Sequence, residues 1–110
     1  MISKTELIKW LRGIDKKLDR KITLIAVGGT AMTLLGLKSS TIDIDFCIPS
    51  EDEESFRKAL DKKFKVDIFI DGFIFSEQLP DDYAKKSKEI LELKNIILKV
   101  LSPIDIIITK

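Results

Sequence analysis

Between Ile22 and Phe46 the chain carries an apolar segment, Ile22-Thr23-Leu24-Ile25-Ala26-Val27, that runs into a double glycine, Gly28-Gly29. A helical run over residues 30–37 and a short polar loop over 38–41 follow, and a second apolar segment, Ser40-Thr41-Ile42-Asp43-Ile44-Asp45-Phe46, then holds two carboxylates one residue apart. Strand, glycine turn, helix and strand are therefore expected in that order.

Successive side chains of a β-strand point to opposite faces, so Asp43 and Asp45 share one face while Ile42, Ile44 and Phe46 share the other. Their Cα atoms then lie roughly 6.6–6.8 Å apart, and both carboxylates can lean onto one ion. Strands disfavour Asp, and like charges on one face raise each other's pKa unless a cation sits between them. Something positive is expected there. The same alternation is also the ordinary apolar-in, polar-out pattern of a half-solvated strand, and that reading stands beside the functional one. The double glycine adds weight to function, because glycines let backbone N–H groups crowd a ligand and a helix start attracts phosphate. Many strand-to-helix turns nevertheless need a glycine only for its φ angle.

A chain of 110 residues suits one domain with one core, and a single domain over residues 1–110 is expected. No apolar run approaches the roughly 18 residues of a membrane span, and the first residues read as a charged amphipathic helix rather than a signal peptide. A cytoplasmic protein without a membrane partner is expected. The net charge of +1 argues against a broad nucleic-acid-binding surface, so the basic groups Lys16-Lys17 with Arg20-Lys21, and Lys85-Lys86 with Lys88, read as solvated faces. The lone cysteine, Cys47, shares the face of Asp43 and Asp45 by alternation. It reads as a small buried residue, since the hard ions that suit carboxylates avoid thiols.

Histidine is absent, which removes Ser-His-Asp and Cys-His catalysis and His-ligated zinc. No Gly-Lys-Ser or Gly-Lys-Thr forms a P-loop, no glycine stands two residues beyond Gly28 for a dinucleotide fingerprint, and an EF-hand starting at Asp43 fails at Cys47 and Ile48. Carboxylate and metal chemistry remains, or no chemistry.

A helix is expected over residues 4–19, with Ser3 and Glu6 as a capping box, a stripe of Leu7, Ile8, Leu11, Ile14 and Leu18, and Trp10 at the core edge. Ser50 is expected to cap a helix over 51–62 with Glu53 in the capping-box position; the acids of its first turn complement the helix dipole. A strand over 65–70 then carries Asp67, a third candidate ligand that is otherwise an exposed alternating position. Asp71-Gly72 has type I′ turn chemistry toward Phe73-Ile74-Phe75, or only begins a loop. Residues 79–86 read as a connector with room for a helical turn, and 88–93 and 96–101 as a hairpin turning at Lys94-Asn95. Ser102-Pro103 starts a short helix over 104–109.

Gly28-Gly29-Thr30-Ala31, Gly36-Leu37-Lys38-x-Ser40-Thr41-x-Asp43-Ile44-Asp45, Val66-Asp67-Ile68-Phe69 and Leu101-Ser102-Pro103-x-Asp105-Ile106-x-x-x-Lys110 occur in one order. Together they resemble the nucleotidyltransferase domain of the polymerase-β superfamily, nearest its AbiEii-like group, some of whose members are toxins of toxin–antitoxin pairs. The resemblance covers residues 22–110. It implies an α/β (α+β) fold with a mixed sheet of four or five strands, helices mainly on one face, and a metal site where the strands of Asp45 and Asp67 lie side by side.

The resemblance further implies a Mg²⁺-dependent transfer of a nucleoside monophosphate from a nucleoside triphosphate to an RNA, such as a tRNA, or to a protein. Asp43, Asp45 and Asp67 would be the catalytic carboxylates holding two Mg²⁺ ions, Asp67 also taking the proton of the attacking hydroxyl. Gly28, Gly29 and the Thr30 hydroxyl would hold the β- and γ-phosphates, with Lys110 as a further nucleotide contact. A toxin or antitoxin, or a second copy in a homodimer, is the implied partner. Helices that relatives carry downstream are expected to be absent here or supplied by another chain. From another class, the alternative is a non-catalytic nucleotide-binding or interaction module that keeps the fold.

Overall fold

The computed structural model describes residues 1–102. The expected helix over 104–109 lies outside them. A two-residue strand, β1 (Ile2–Ser3), leads into α1 (Lys4–Lys17), whose start is fixed as the sequence proposed: the Glu6 N–H donates to Ser3 Oγ at 3.2 Å, and the Ser3 N–H donates to the Glu6 carboxylate at 3.3 Å. Then come β2 (Ile22–Ala26), α2 (Gly28–Leu34), β3 (Ser40–Thr41), β4 (Ile44–Ile48), a 3₁₀ turn (Ser50–Asp52), α3 (Glu53–Ala59) and β5 (Val66–Ile70). The remainder is β6 (Phe73–Ile74), β7 (Glu77–Gln78), α4 (Tyr83–Lys86), β8 (Lys88–Glu92) and β9 (Ile96–Val100).

Five strands form one mixed sheet in the order β5-β4-β2-β9-β8. β4 and β5 are parallel, as are β2 and β9; β2 with β4 and β8 with β9 are antiparallel. Parallel neighbours need a crossover, and α3 supplies the one between β4 and β5. Side chains opposite each other in register share a face, which puts Ile22, Leu24, Ala26 and Phe46 with Ile96, Leu98 and Val100. All seven are buried. Phe56 of α3 meets Phe46 edge to face with ring centroids 6.0 Å apart, and α1 packs against α3, so these two helices cover that side. Leu7, Leu11 and Ile14 of α1 complete the core. Trp10 is the core-edge residue its position suggested: it is buried, packs edge-on against Phe64, and donates Nε1–H to Asp61 at 3.1 Å. Asn95, at the β8–β9 turn, ties the hairpin to α1 by donating Nδ2–H to the carbonyls of Asp15 at 3.3 Å and Leu18 at 3.1 Å.

Three expectations need correction. The strand expected to carry both Asp43 and Asp45 after the 38–41 loop starts late: Ser40–Thr41 form β3, which pairs with β1, the chain bends at Ile42-Asp43, and β4 begins only at Ile44. Ser50 does not cap a helix: its N–H donates to Asp71 Oδ1 at 3.0 Å, Glu53 pairs with Arg57, and a 3₁₀ turn precedes α3. Asp52 of that turn is buried against the Arg20 guanidinium, so its place is set by tertiary pairing rather than by local capping. Asp71 and Gly72 have φ of 52° and 84°, as a type I′ turn requires, but β6 then pairs with β7 instead of folding back on β5.

Candidate active site

The register of β4 and β5 sets Asp45 directly opposite Asp67, between the Ile44–Val66 and Phe46–Ile68 pairs. Alternation sends Phe46 into the helix-covered core, so both carboxylates leave the sheet on the other face. Asp45 is 7% exposed, and its carboxyl is near enough to that of Asp67 for the two to act on each other directly. Two carboxyl groups so placed hydrogen-bond to each other only when one of them is protonated. Burial first, then the Asp67 charge and that bond, then the Asp43 charge, push the Asp45 carboxyl from its ordinary 3.8 up to about 6, with Lys65 pulling the other way. A buried pair of hard oxygen ligands that resists carrying two negative charges is a place where a divalent cation can take the proton's part.

Asp43 stands apart from the pair. It lies on the bend before β4 rather than on the strand, near enough for its charge to act on Asp45. Among the described residues no three carboxylate or cysteine side chains gather closely enough to hold an ion by themselves. Mg²⁺ ordinarily takes one or two carboxylates and completes its shell with water and substrate phosphates, so Asp45 and Asp67 fit an ion that arrives with a nucleotide.

Thr30 holds this geometry. Its hydroxyl donates to the Asp43 carbonyl at 3.1 Å and accepts the Asp45 N–H at 2.9 Å, while Thr41 Oγ1 donates to the same Asp43 carbonyl at 2.8 Å. The bend is thus fastened from α2 and from β3. Thr30 is fully buried, which leaves its hydroxyl no access to a phosphate; the side chain expected to touch the nucleotide instead positions the segment carrying both Asp43 and Asp45.

The glycines bring the start of α2 against the same point. Gly28 is left-handed, with φ of +56°, and a Cβ there would lie 3.3 Å from Phe75 Cε2 and 3.4 Å from Asp45 Oδ2. A Cβ on Gly29 would lie 2.9 Å from Thr41 Oγ1, with Lys38 Nζ at 3.8 Å. The first bond into the helix is from the Ala31 N–H to the Val27 carbonyl at 3.2 Å, so the N–H groups of residues 28–30 are first-turn donors without an acceptor within the helix. Lys110 lies outside the described residues.

Cys47 continues the face of Asp45, fully buried as expected, with the Gly72 N–H donating to its sulfur at 3.3 Å and burial pushing its thiol pKa up. Three residues at the site were not singled out from sequence. Lys65 stands two positions before Asp67, so strand alternation alone could have placed it on the carboxylate face. Lys38 belongs to the Gly-Leu-Lys-x-Ser-Thr run but has no periodicity to mark it. Phe75 arrives only through tertiary folding of the β6–β7 hairpin.

A search of curated proteins returns no match. The fold matches a crystal structure from Thermotoga maritima described as "a putative nucleotidyltransferase", at 19% sequence identity and a TM-score of 0.62, over 94% of this chain and 81% of that one. At that identity the likeness shows the fold, a nucleotidyltransferase-like mixed α/β architecture. The family described as "Nucleotidyltransferase of unknown function (DUF6036)" matches residues 4–110 and therefore takes in every element described above from α1 onward. With nearly the whole sequence inside that match, the chain belongs to this nucleotidyltransferase family.

Proposed function

We propose that the protein is a Mg²⁺-dependent nucleotidyltransferase that moves a nucleoside monophosphate from a nucleoside triphosphate to an RNA or protein hydroxyl. The observation that carries this reading is the register pairing of Asp45 with Asp67 on adjacent parallel strands, with the Asp45 carboxylate beside the Gly28 turn. Asp45 and Asp67 would hold the metal, with Asp43 reaching in from its bend once a nucleotide brings further ligands. When bound, Mg²⁺ would supply charge neutralisation for the triphosphate and for the attacking and leaving oxygens. The acceptor oxygen forms a bond to the α-phosphorus, the bond to pyrophosphate breaks, and the hydroxyl proton passes to Asp67. The first-turn N–H groups at Gly28 and Gly29 and the Lys38 ammonium would face the β- and γ-phosphates. A place in the AbiEii-like group, and a toxin or antitoxin as partner, belong to the same proposal.

A second reading, a binding module without turnover, is favoured by the lack of a three-carboxylate cluster among the described residues. Titration of ATP, GTP, CTP and UTP with and without Mg²⁺, combined with transfer of an α-³²P label to RNA and protein acceptors, separates the two. For the enzyme, Mg²⁺-dependent binding of at least one nucleotide and labelled acceptor are expected, both lost in an Asp43→Asn/Asp45→Asn double variant. Nucleotide binding that ignores Mg²⁺ and the double substitution, with no label transferred, would leave only the module.

A further inference from the structure

The β6–β7 hairpin is the element over the site that no part of the proposed chemistry has yet used. Ile74 is fully buried, and the residues flanking it, Phe73 and Phe75, are 49% and 43% exposed. Phe75 and Ser76, at the turn, are both left-handed, with φ of 50° and 68°. Each costs roughly 1–3 kcal/mol for a residue with a Cβ, and a bulky aromatic residue is a clear outlier there. Glycine would remove that cost at position 75, yet a phenyl ring is present. Packing sets the ring in place: its edge lies on Gly28, 3.3 Å from where a Cβ would stand, beside the Asp45 carboxylate, and it leans on Phe69 with centroids 4.6 Å apart. A half-exposed aromatic ring held at backbone cost next to a buried carboxylate pair contributes little to the core.

We propose that Phe75 is a substrate-contacting residue that provides the flat apolar surface against which the base of the bound nucleoside triphosphate packs. This rests on the reading of the site as a nucleotide site and names the part of the substrate it recognises. A triphosphate lying along the Gly28 turn toward Asp45 and Asp67 passes the ring, and the nucleoside at its end meets the exposed ring surface. Stacking on a π-face is tolerant of base identity, so Phe75 raises affinity for every nucleotide while leaving the choice among them to other groups.

The test uses the full chain with Phe75→Gly, which removes the ring and relieves the left-handed strain, and Phe75→Trp, which keeps a ring and adds a reporter indole. Thermal unfolding checks that both fold. The Gly variant is expected to bind Mg²⁺-nucleoside triphosphate roughly tenfold or more weakly, and Mg²⁺-tripolyphosphate, which has no base, as the wild type does. The Trp variant is expected to retain binding, with indole emission quenched by nucleoside triphosphate and unchanged by tripolyphosphate. Unchanged nucleotide affinity in the folded Gly variant would overturn the proposal. So would an indole that responds to a short single-stranded RNA but not to the triphosphate, which would assign the ring to the acceptor. If wild-type binding does not depend on Mg²⁺, Asp45 and Asp67, the nucleotide site itself fails; if it does and the ring is irrelevant, only this inference fails.

Discussion

Replacing Asp45 with asparagine is expected to stabilise the metal-free protein and abolish nucleotide transfer. The Asp45 carboxyl titrates at about 6 in the folded chain against an ordinary 3.8, chiefly because it is buried and because Asp67 lies beside it. The folded state therefore binds this proton more tightly than the unfolded state does. The group's favourable contribution is complete below about pH 4, is lost as pH rises toward 6, and at neutral pH the ionised pair opposes folding by at most about 3 kcal/mol. Asparagine keeps the shape and removes one charge, so at pH 7.5 in EDTA the variant should unfold several degrees higher than wild type. The gap should close as pH falls to 4.5. Mg²⁺ with nucleotide should reverse the order, since a ligand that binds only the folded state stabilises it by mass action and the variant has lost the site. Groups that merely orient a metal ligand are worth roughly 10–100-fold, so removing a carboxylate that touches the ion should cost more than roughly a hundredfold in transfer rate. Thermal scans across pH, with and without metal, together with label transfer, give all four readouts.

Thr30→Val is expected to impair the site without touching it. Valine matches threonine in shape but leaves the Asp45 N–H without its acceptor and the Asp43 carbonyl with only the Thr41 hydroxyl. An unsatisfied buried group costs about 1–3 kcal/mol, readable as a lower urea midpoint. The bend would loosen, moving Asp45 relative to Asp67, and transfer should fall roughly 10–100-fold, the range for residues that position metal ligands. The sign separates the roles: loss at Asp45 raises stability in EDTA, loss at Thr30 lowers it. Thr30→Ser, which restores the hydroxyl, should recover most of both. Full activity in the valine variant would remove Thr30 from the account.

Much of this was legible before folding because the decisive signals are local. Gly28-Gly29 after an apolar run and alternation through Ile44-Asp45-Phe46 place one carboxylate beside a helix start, and the Ser3–Glu6 capping box sets where α1 begins. What lies across space was not legible by the same means. Asp67 reads as an ordinary alternating strand residue until β5 takes its place against β4, and no spacing rule states which strands become neighbours. The bend at Ile42-Asp43 follows from Thr30, on another element, offering better partners than a continued strand would. At Ser50 a capping signal lost to two tertiary contacts, the Asp71 carboxylate on its N–H and Arg20 on Asp52. Phe75 carried no signal of function, since Phe73-Ile74-Phe75 reads as an ordinary short apolar strand.

The central claim is that Asp45 and Asp67 together form a divalent-cation site. Mn²⁺, which substitutes for Mg²⁺ at oxygen sites and is visible by electron paramagnetic resonance, reports it directly when titrated into the protein with a nucleoside triphosphate present. Bound Mn²⁺ well above that of nucleotide alone in wild type, returning to the nucleotide-only level in both Asp45→Asn and Asp67→Asn, is the predicted result; equal Mn²⁺ binding by wild type and the two variants would contradict it.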